Sequence, residues 1–306
     1  MTGIIIGHSG FIGKNLTQFY GNKKCDLYLY GNQNDILIST NRNNKIIEKG
    51  RFDLLTKWES KTKVDLVFYL ISNSTNRNSD LDHEKALIDH ALNLFVKKQT
   101  KFIFFSSAGG IYENSEEIKT EEMPLSPSND YEKTKVFLEQ HLNSIKDLRK
   151  NILIVRPSNV YGRYQEKLVN KNGLITTIIY NSLTSKKIII PKNYTEIYRD
   201  YLHIEDLIVL ISKALEKNIY GVYNFSYGES FSIQKIIEII GKESEKLNIP
   251  LVMNFDFAEK SSKTNSFISN QKIRNSIKSE PKIDVATGIR MQIIYLNELI
   301  SNTRNI

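Results

Sequence analysis

The chain has 306 residues, 40% hydrophobic and 25% charged, with a formal net charge of +8. That balance is soluble globular material with room for one large or two unequal cores, and the single cysteine, Cys25, excludes an internal disulfide and a cysteine-rich zinc site. No apolar run approaches the roughly 20 residues that span a bilayer, and the lysines are spread along the chain rather than gathered in a block, so neither a membrane nor a nucleic acid is expected as a partner.

In chain order, residues 4–6, 27–30, 66–71, 101–106 and 152–155 are short apolar runs of the kind that make buried strands. Between them, residues 11–20, 82–98 and 131–145 carry helical periodicity. Apolar strands alternating with helices predict an α/β fold whose parallel sheet is covered on both faces. Beyond residue 161 the rhythm breaks. Helices are predicted at 174–183, 204–216, 232–247 and 285–300, with short extended pieces at 187–191 and 222–225 and a loop over 193–200.

The first strand runs into Gly7-His8-Ser9-Gly10-Phe11-Ile12-Gly13, which opens the first helix. Gly7 permits a tight turn, Gly10 lets the backbone approach a pyrophosphate, and Gly13 lets helix and strand pack closely. The helix N-terminus adds unpaired amides and positive dipole for the anion. This placement predicts a dinucleotide site.

Tyr131 and Lys135 stand four residues apart, one turn along a single helix face. A tyrosine holds its proton until about pH 10, and a fixed lysine charge beside it favours the phenolate for acid–base work.

Further segments complete a pattern: Asp53-Leu54, the strand from Val64 to Ser72, Phe105-Ser106-Ser107-Ala108-Gly109-Gly110-Ile111-Tyr112, Arg156-Pro157-Ser158-Asn159-Val160-Tyr161-Gly162, and the run from Arg199 to Asp206. With them the chain resembles, over nearly its whole length, an extended short-chain dehydrogenase/reductase of the NAD-dependent epimerase/dehydratase type. The resemblance implies a Rossmann-type doubly wound parallel sheet with a smaller, interwoven C-terminal substrate-binding lobe. The dinucleotide domain would take residues 1–163 with 200–226, and the lobe 164–199 with 227–306.

It also implies roles. Tyr131 would exchange the proton, Lys135 would lower the tyrosine's pKa and hold the nicotinamide ribose, and Ser107 would bond the reacting oxygen. The family's usual hydroxyl slot falls on Ala108, and the neighbouring Ser107 is taken instead. Ser106 is read as structural, its hydroxyl bonding backbone at the strand end. Gly7, Ser9, Gly10, Phe11, Ile12, Gly13, Asn32, Asp53, Leu54, Leu70, Ser72 and Pro157 would join Tyr131 and Lys135 around the cofactor. Asn159 and Arg199 would bind the substrate's diphosphate. His203 and Asp206 are read as structural, and no metal is expected. The implied substrate is a nucleotide-diphosphate sugar, and the implied assembly a homodimer through the helices at 82–98 and 131–145. The absence of a leader-like N-terminus adds the expectation of a cytoplasmic protein.

Three positions depart from the family's pattern. The slot for the ribose-binding carboxylate, 24 residues past Gly7, holds Gly31, with Asn32 next to it and Asp35 further along the loop. The stretch 259–263 offers lysines where an arginine is usual, and Glu113 stands in place of a glycine. Ala108-Gly109 carries no acid pair, which argues against dehydration. A nucleotide-sugar 4-epimerase with bound NAD is the expected activity. An NADPH-dependent 4-ketoreductase, with NADP as product, is the alternative, and a dinucleotide-binding protein without chemistry is the third.

Overall fold

The computed structural model describes residues 1–23, 25–31, 46–52, 55, 57, 63–71, 80–97, 99–113, 115–166, 173–260 and 265–304, of which 47–49 and 304 are described by backbone alone. The chain forms two compact units. One takes Met1–Glu113, Glu121–Pro157 and Ile211–Asn224; the other takes Asn114–Thr120, Ser158–Leu210 and Phe225–Ile306.

The first unit is built on a seven-stranded sheet. Its strands are β1 (Thr2–Ile6), β2 (Asp26–Gly31), β3 (Ile46–Arg51), β4 (Leu66–Tyr69), β5 (Lys101–Phe105), β6 (Ile152–Pro157) and β10 (Gly221–Phe225), in the order β10-β6-β5-β4-β1-β2-β3. The pairs from β3 across to β6 are parallel. The chain winds outward from β1 in one direction and from β4 in the other, so a topological switch point lies between β1 and β4.

Alternate residues divide the sheet's two faces. Ile4, Ile6, Tyr28, Tyr30, Val67, Tyr69, Phe102, Phe104, Ile152 and Ile154 share a core with Ile88, Ala91, Leu92 and Phe95 of helix α2 (Leu81–Phe95) and Leu138 and Leu142 of α3 (Asp130–Ser144). The opposite face belongs to α1 (Phe11–Asn22), whose Tyr20 ring lies 5.1 Å from that of Phe68. Burial on both faces explains why these strands are nearly unbroken apolar runs.

Local signals set the helix that matters most. Asn129 caps α3 by accepting from the Glu132 amide at 3.0 Å, while the Glu132 carboxylate accepts from the amides of Ser128 (2.8 Å) and Asn129 (3.4 Å). This reciprocal capping box fixes the helix start just before Tyr131. It also accounts for Gly110, where a Cβ would overlap the Glu132 carboxylate.

The second unit holds a three-stranded sheet of β7 (Asn159–Tyr161), β9 (Tyr198–His203) and β11 (Ser230–Ser232), and a two-stranded sheet of β8 (Lys187–Pro191) and β12 (Asn254–Ala258). Its core joins Ile175, Ile178 and Ile179 of α4 (Leu174–Leu183), Ile236 and Ile240 of α6 (Ile233–Leu247) and Ile289, Ile293 and Leu296 of α8 (Val285–Arg304). Helix α7 (Gln271–Ile277) also belongs to this unit, and α5 (Ile204–Glu216) is divided between the two units after Leu210. The predicted loop over 193–200 is strand β9 from Tyr198 onward. Its charged Asp200 hid the strand because that carboxylate is buried on backbone amides from a distant turn, Tyr227 (2.9 Å) and Gly228 (2.7 Å). Among the described residues, no helix is long and apolar enough to cross a membrane.

Candidate active site

In the first unit the candidate residues gather at the carboxyl ends of the central strands, where ligands of open α/β sheets bind. Gly7 follows β1 at φ +95°, and its amide donates to the Tyr30 carbonyl at 2.7 Å. A Cβ at Gly13 would overlap the Gly7 carbonyl and His8 Cα, so only glycine lets the helix sit this close to the strand. Gly10 is the N-cap of α1 and supplies no side-chain acceptor to the first-turn amides. Leu70, just past β4, packs beside Gly7.

Gly31 ends β2. A Cβ there would meet Ser9 Oγ at 3.8 Å, an ordinary contact, so packing does not forbid a side chain at this slot. Its register partner on β3 is Arg51. The predicted ligands Asn32, Asp53, Leu54 and Ser72 lie outside the described residues.

Two more strand ends meet nearby. The Ala108 amide donates to the Pro157 carbonyl at 2.8 Å, joining the end of β6 to the segment after β5. In that segment Ser107 Oγ accepts from the Gly109 amide at 3.3 Å. Ser106 departs from expectation: its hydroxyl is buried with no hydrogen-bond partner among the described residues, rather than bonded to backbone.

Helix α3 enters the same edge by its N-terminus. Lys135 is 3% exposed, with Nζ 5.5 Å from the Tyr131 ring centroid and 5.1 Å from that of Phe104. Among the described residues this ammonium makes no hydrogen bond and no ion pair. Burial pulls it down to about 8, opposed by the charges of Glu84 and Glu139. Tyr131 corrects the sequence reading. Its phenol is pushed up to about 12, first by burial and then by the neighbouring Glu132 charge, instead of being lowered by Lys135. The residue is still 42% exposed, which limits how far burial acts. The lysine lies near the ring, and its charge does not outweigh these effects.

The second unit carries the other two candidates on one sheet. Asn159 of β7 pairs in register with Tyr201 of β9, so Asn159 and Arg199 share a face. The Asn159 amide donates to the Asp200 carbonyl at 2.9 Å, and Arg199 Nη1 donates to the Tyr198 carbonyl at 2.7 Å. Burial pulls the Arg199 guanidinium down, with Tyr201 opposing. Asp206 accepts from the amides of Lys282 (3.0 Å) and Ile283 (2.8 Å). His203 is buried, and burial alone lowers it to about 4.

A model of the NAD dependent epimerase/dehydratase family matches residues 4–226. The chain belongs to this family. It is 30% identical over 208 residues to a dTDP-4-dehydro-6-deoxyglucose reductase of Escherichia coli, covering 66% of this chain and 64% of that protein. It is 26% identical over 245 residues to a GDP-6-deoxy-D-talose 4-dehydrogenase of Aggregatibacter actinomycetemcomitans, covering 78% of each. Its fold matches that of a UDP-glucose 4-epimerase from Thermotoga maritima with a TM-score of 0.78 at 19% identity, covering 98% of this chain and 100% of the other.

Within this family member, one buried polar group was missed by the sequence reading: the pair of Arg156 on β6 and Glu139 on α3. A signal for it exists. Arginine inside the otherwise apolar run Ile152–Pro157 requires a buried partner, because an isolated buried charge is too costly to keep.

Proposed function

We propose that this chain transfers hydride between a nicotinamide dinucleotide and a ring carbinol of a nucleotide-diphosphate sugar, acting as a 4-epimerase through a keto-sugar intermediate. The observation that carries this reading is the buried Lys135 ammonium, which makes no hydrogen bond among the described residues, set beside Tyr131 at the carboxyl ends of the strands. A buried cation in that condition calls for an acceptor from a ligand.

The residues fit the cofactor. The tight glycine turn and uncapped start of α1 suit a pyrophosphate, with Ser9, Phe11, Ile12 and Gly13 lining it and Leu70 and Pro157 flanking the nicotinamide half. Lys135 would donate to the ribose hydroxyls. When bound, the nicotinamide supplies the hydride acceptor and donor.

The side chains handle the proton. Tyr131 Oη receives the proton of the substrate hydroxyl as the ring carbon is oxidised and returns it on reduction. Ser107 Oγ bonds the reacting oxygen, which carries developing charge. Asn159 and Arg199 are the proposed diphosphate ligands, the guanidinium fork matching phosphate oxygens. We also propose a homodimer through α2 and α3 and a cytoplasmic setting, which suits the buried free thiol of Cys25.

A 4-ketoreductase is the second reading, favoured by one observation. Gly31 offers no carboxylate to the ribose, and its strand partner is the cationic Arg51, a setting that tolerates a 2′-phosphate. Denaturing the purified protein and identifying the released dinucleotide separates the two: retained NAD supports the epimerase, and an empty site preferring NADPH supports the reductase. Tyr131→Phe tests both, with an expected loss on the order of 10²–10⁴-fold in turnover. A nucleotide-sugar panel that shows turnover within a few-fold of wild type would remove Tyr131 from the chemistry.

A further inference from the structure

Glu139 continues the face of α3 that carries Tyr131 and Lys135, at successive steps of four residues. It is 2% exposed and is held by Arg156, itself 4% exposed. Arg156 Nε donates to both carboxylate oxygens at 3.0 and 3.1 Å, and Nη2 donates to Oε2 at 2.5 Å. The remaining nitrogen, Nη1, donates to the Tyr112 hydroxyl at 2.9 Å, which donates to Asn224 Oδ1 at 2.5 Å. The backbone N–H of Asn224 donates to Glu121 Oε1 at 2.7 Å.

Three members of this chain of bonds belong to or adjoin segments with a role in the proposed chemistry. Glu139 belongs to the helix of Tyr131 and Lys135. Tyr112 closes the turn that begins at Ser107. Arg156 precedes Pro157, whose carbonyl holds the Ala108 amide.

A buried ion pair is a poor means of gaining stability, since well-packed apolar side chains commonly do as well or better. What a bidentate fork supplies is direction, because it fixes both rotation and translation of the partner carboxylate. We propose that Glu139 and Arg156 are positioning residues, whose fork, extended by Tyr112 and Asn224, sets the distance and angle at which α3 presents Lys135 and Tyr131 to the Ser107 segment. The charges facing Lys135 fit this role: Glu84 from α2 and Glu139 from its own helix both favour the ammonium, while Phe104 of β5 and Tyr131 add only their rings. The inference rests on the reading of Tyr131 and Lys135 as the proton-handling pair.

The test compares Glu139→Gln, Arg156→Lys and the apolar double variant Glu139→Leu with Arg156→Met. Thermal unfolding, kcat and KM are measured, together with titration of the Lys135 side chain by NMR on lysine-labelled protein. The expected result is a double variant that unfolds within a few degrees of wild type yet has kcat reduced between about tenfold and a hundredfold with KM nearly unchanged. Arg156→Lys keeps the charge without the fork and should fall between. In Glu139→Gln the Lys135 midpoint should move down, because one of the two charges favouring the ammonium is gone.

A folded double variant with wild-type kcat would overturn the proposal. If the double variant does not fold, Arg156→Lys decides alone: a lowered kcat at unchanged KM and thermal midpoint supports positioning, and a wild-type kcat refutes it. The NMR readout does not depend on turnover. Full activity in Tyr131→Phe would therefore end the acid–base reading, while the Lys135 midpoint in Arg156→Lys, which keeps every charge and loses only the fork, would still test the fork.

Discussion

Lys135 and Arg156 are two buried cations of the same unit, 3% and 4% exposed, and the fold treats them in opposite ways. Arg156 donates to a carboxylate and a phenol with three of its nitrogens. Lys135, one turn along α3 from the carboxylate that Arg156 grips, lies against the rings of Phe104 and Tyr131 and, among the described residues, feels Glu84 and Glu139 as charges but hydrogen-bonds to neither. Burial that comes with a full set of partners serves the architecture. Burial without partners carries an electrostatic cost that something outside the resting fold must relieve, which is the condition of a binding or catalytic group.

The sharpest way to break this contrast is Lys135→Met. Turnover should fall on the order of 10²–10⁴-fold, and dinucleotide affinity should fall with it. Stability should move the other way. The lysine's folded pKa, about 8, lies below its ordinary 10.5, so its contribution is fully present above 10.5 and is lost as pH falls through 8. At pH 7 the retained charge costs up to about 3 kcal/mol. Urea unfolding at pH 7 should find Lys135→Met more stable than wild type, with the difference shrinking toward pH 10. A variant less stable at pH 7 would mean that the ammonium has a structural partner after all.

The same contrast explains what could be read in the amino-acid order. The strands at 4–6, 66–71 and 101–106 were legible because both faces of the central sheet are buried and nothing polar interrupts them. The Tyr131/Lys135 pair was legible because its geometry is local, four residues on one helix, and so was the turn at Gly7–Gly13. Strand β3 was not read: it is the edge of the sheet, and its sequence Ile-Ile-Glu-Lys-Gly-Arg lacks a continuous apolar run. Strand β9 was not read because Asp200 is satisfied by amides nearly thirty residues away. The Arg156–Glu139 fork joins residues 17 apart across a helix and a strand, and no local spacing announces it. The direction of the Tyr131 shift was missed because spacing shows that a charge is near, but not how much burial opposes it.

The second unit contains a balanced version of the same effect. His203 is held down at about 4 and Asp200 is pushed up to about 6, each by burial. The histidine's contribution is present above its ordinary 6.5 and is lost as pH falls through 4. The aspartate's is present below its ordinary 3.8 and is lost as pH rises through 6. Between pH 4 and 6 the two slopes oppose each other, each worth about 3 kcal/mol at most. His203→Asn keeps an acceptor for the Glu205 amide, which His203 Nδ1 now accepts at 3.4 Å, and removes only the titration. Relative to wild type, its stability should decline from pH 4 to pH 6. Parallel curves for the two proteins would show that His203 is not titrating as a buried base.

Arg199, in the second unit, sharpens the contrast at the smallest scale. One of its nitrogens donates to the Tyr198 carbonyl beside it in the chain, which aims the guanidinium. If the other donors serve the substrate's diphosphate, Arg199→Lys should keep the charge, lose the two-pronged contact and raise KM about tenfold while kcat stays within twofold. The tie to Tyr198 predicts one thing more. A lysine lacks the planar fork that the carbonyl orients, so adding salt should weaken substrate binding more steeply in the variant, whose remaining attraction is that of a point charge. Equal salt slopes with an unchanged KM would mean that Arg199, like Arg156, is wholly committed to the fold.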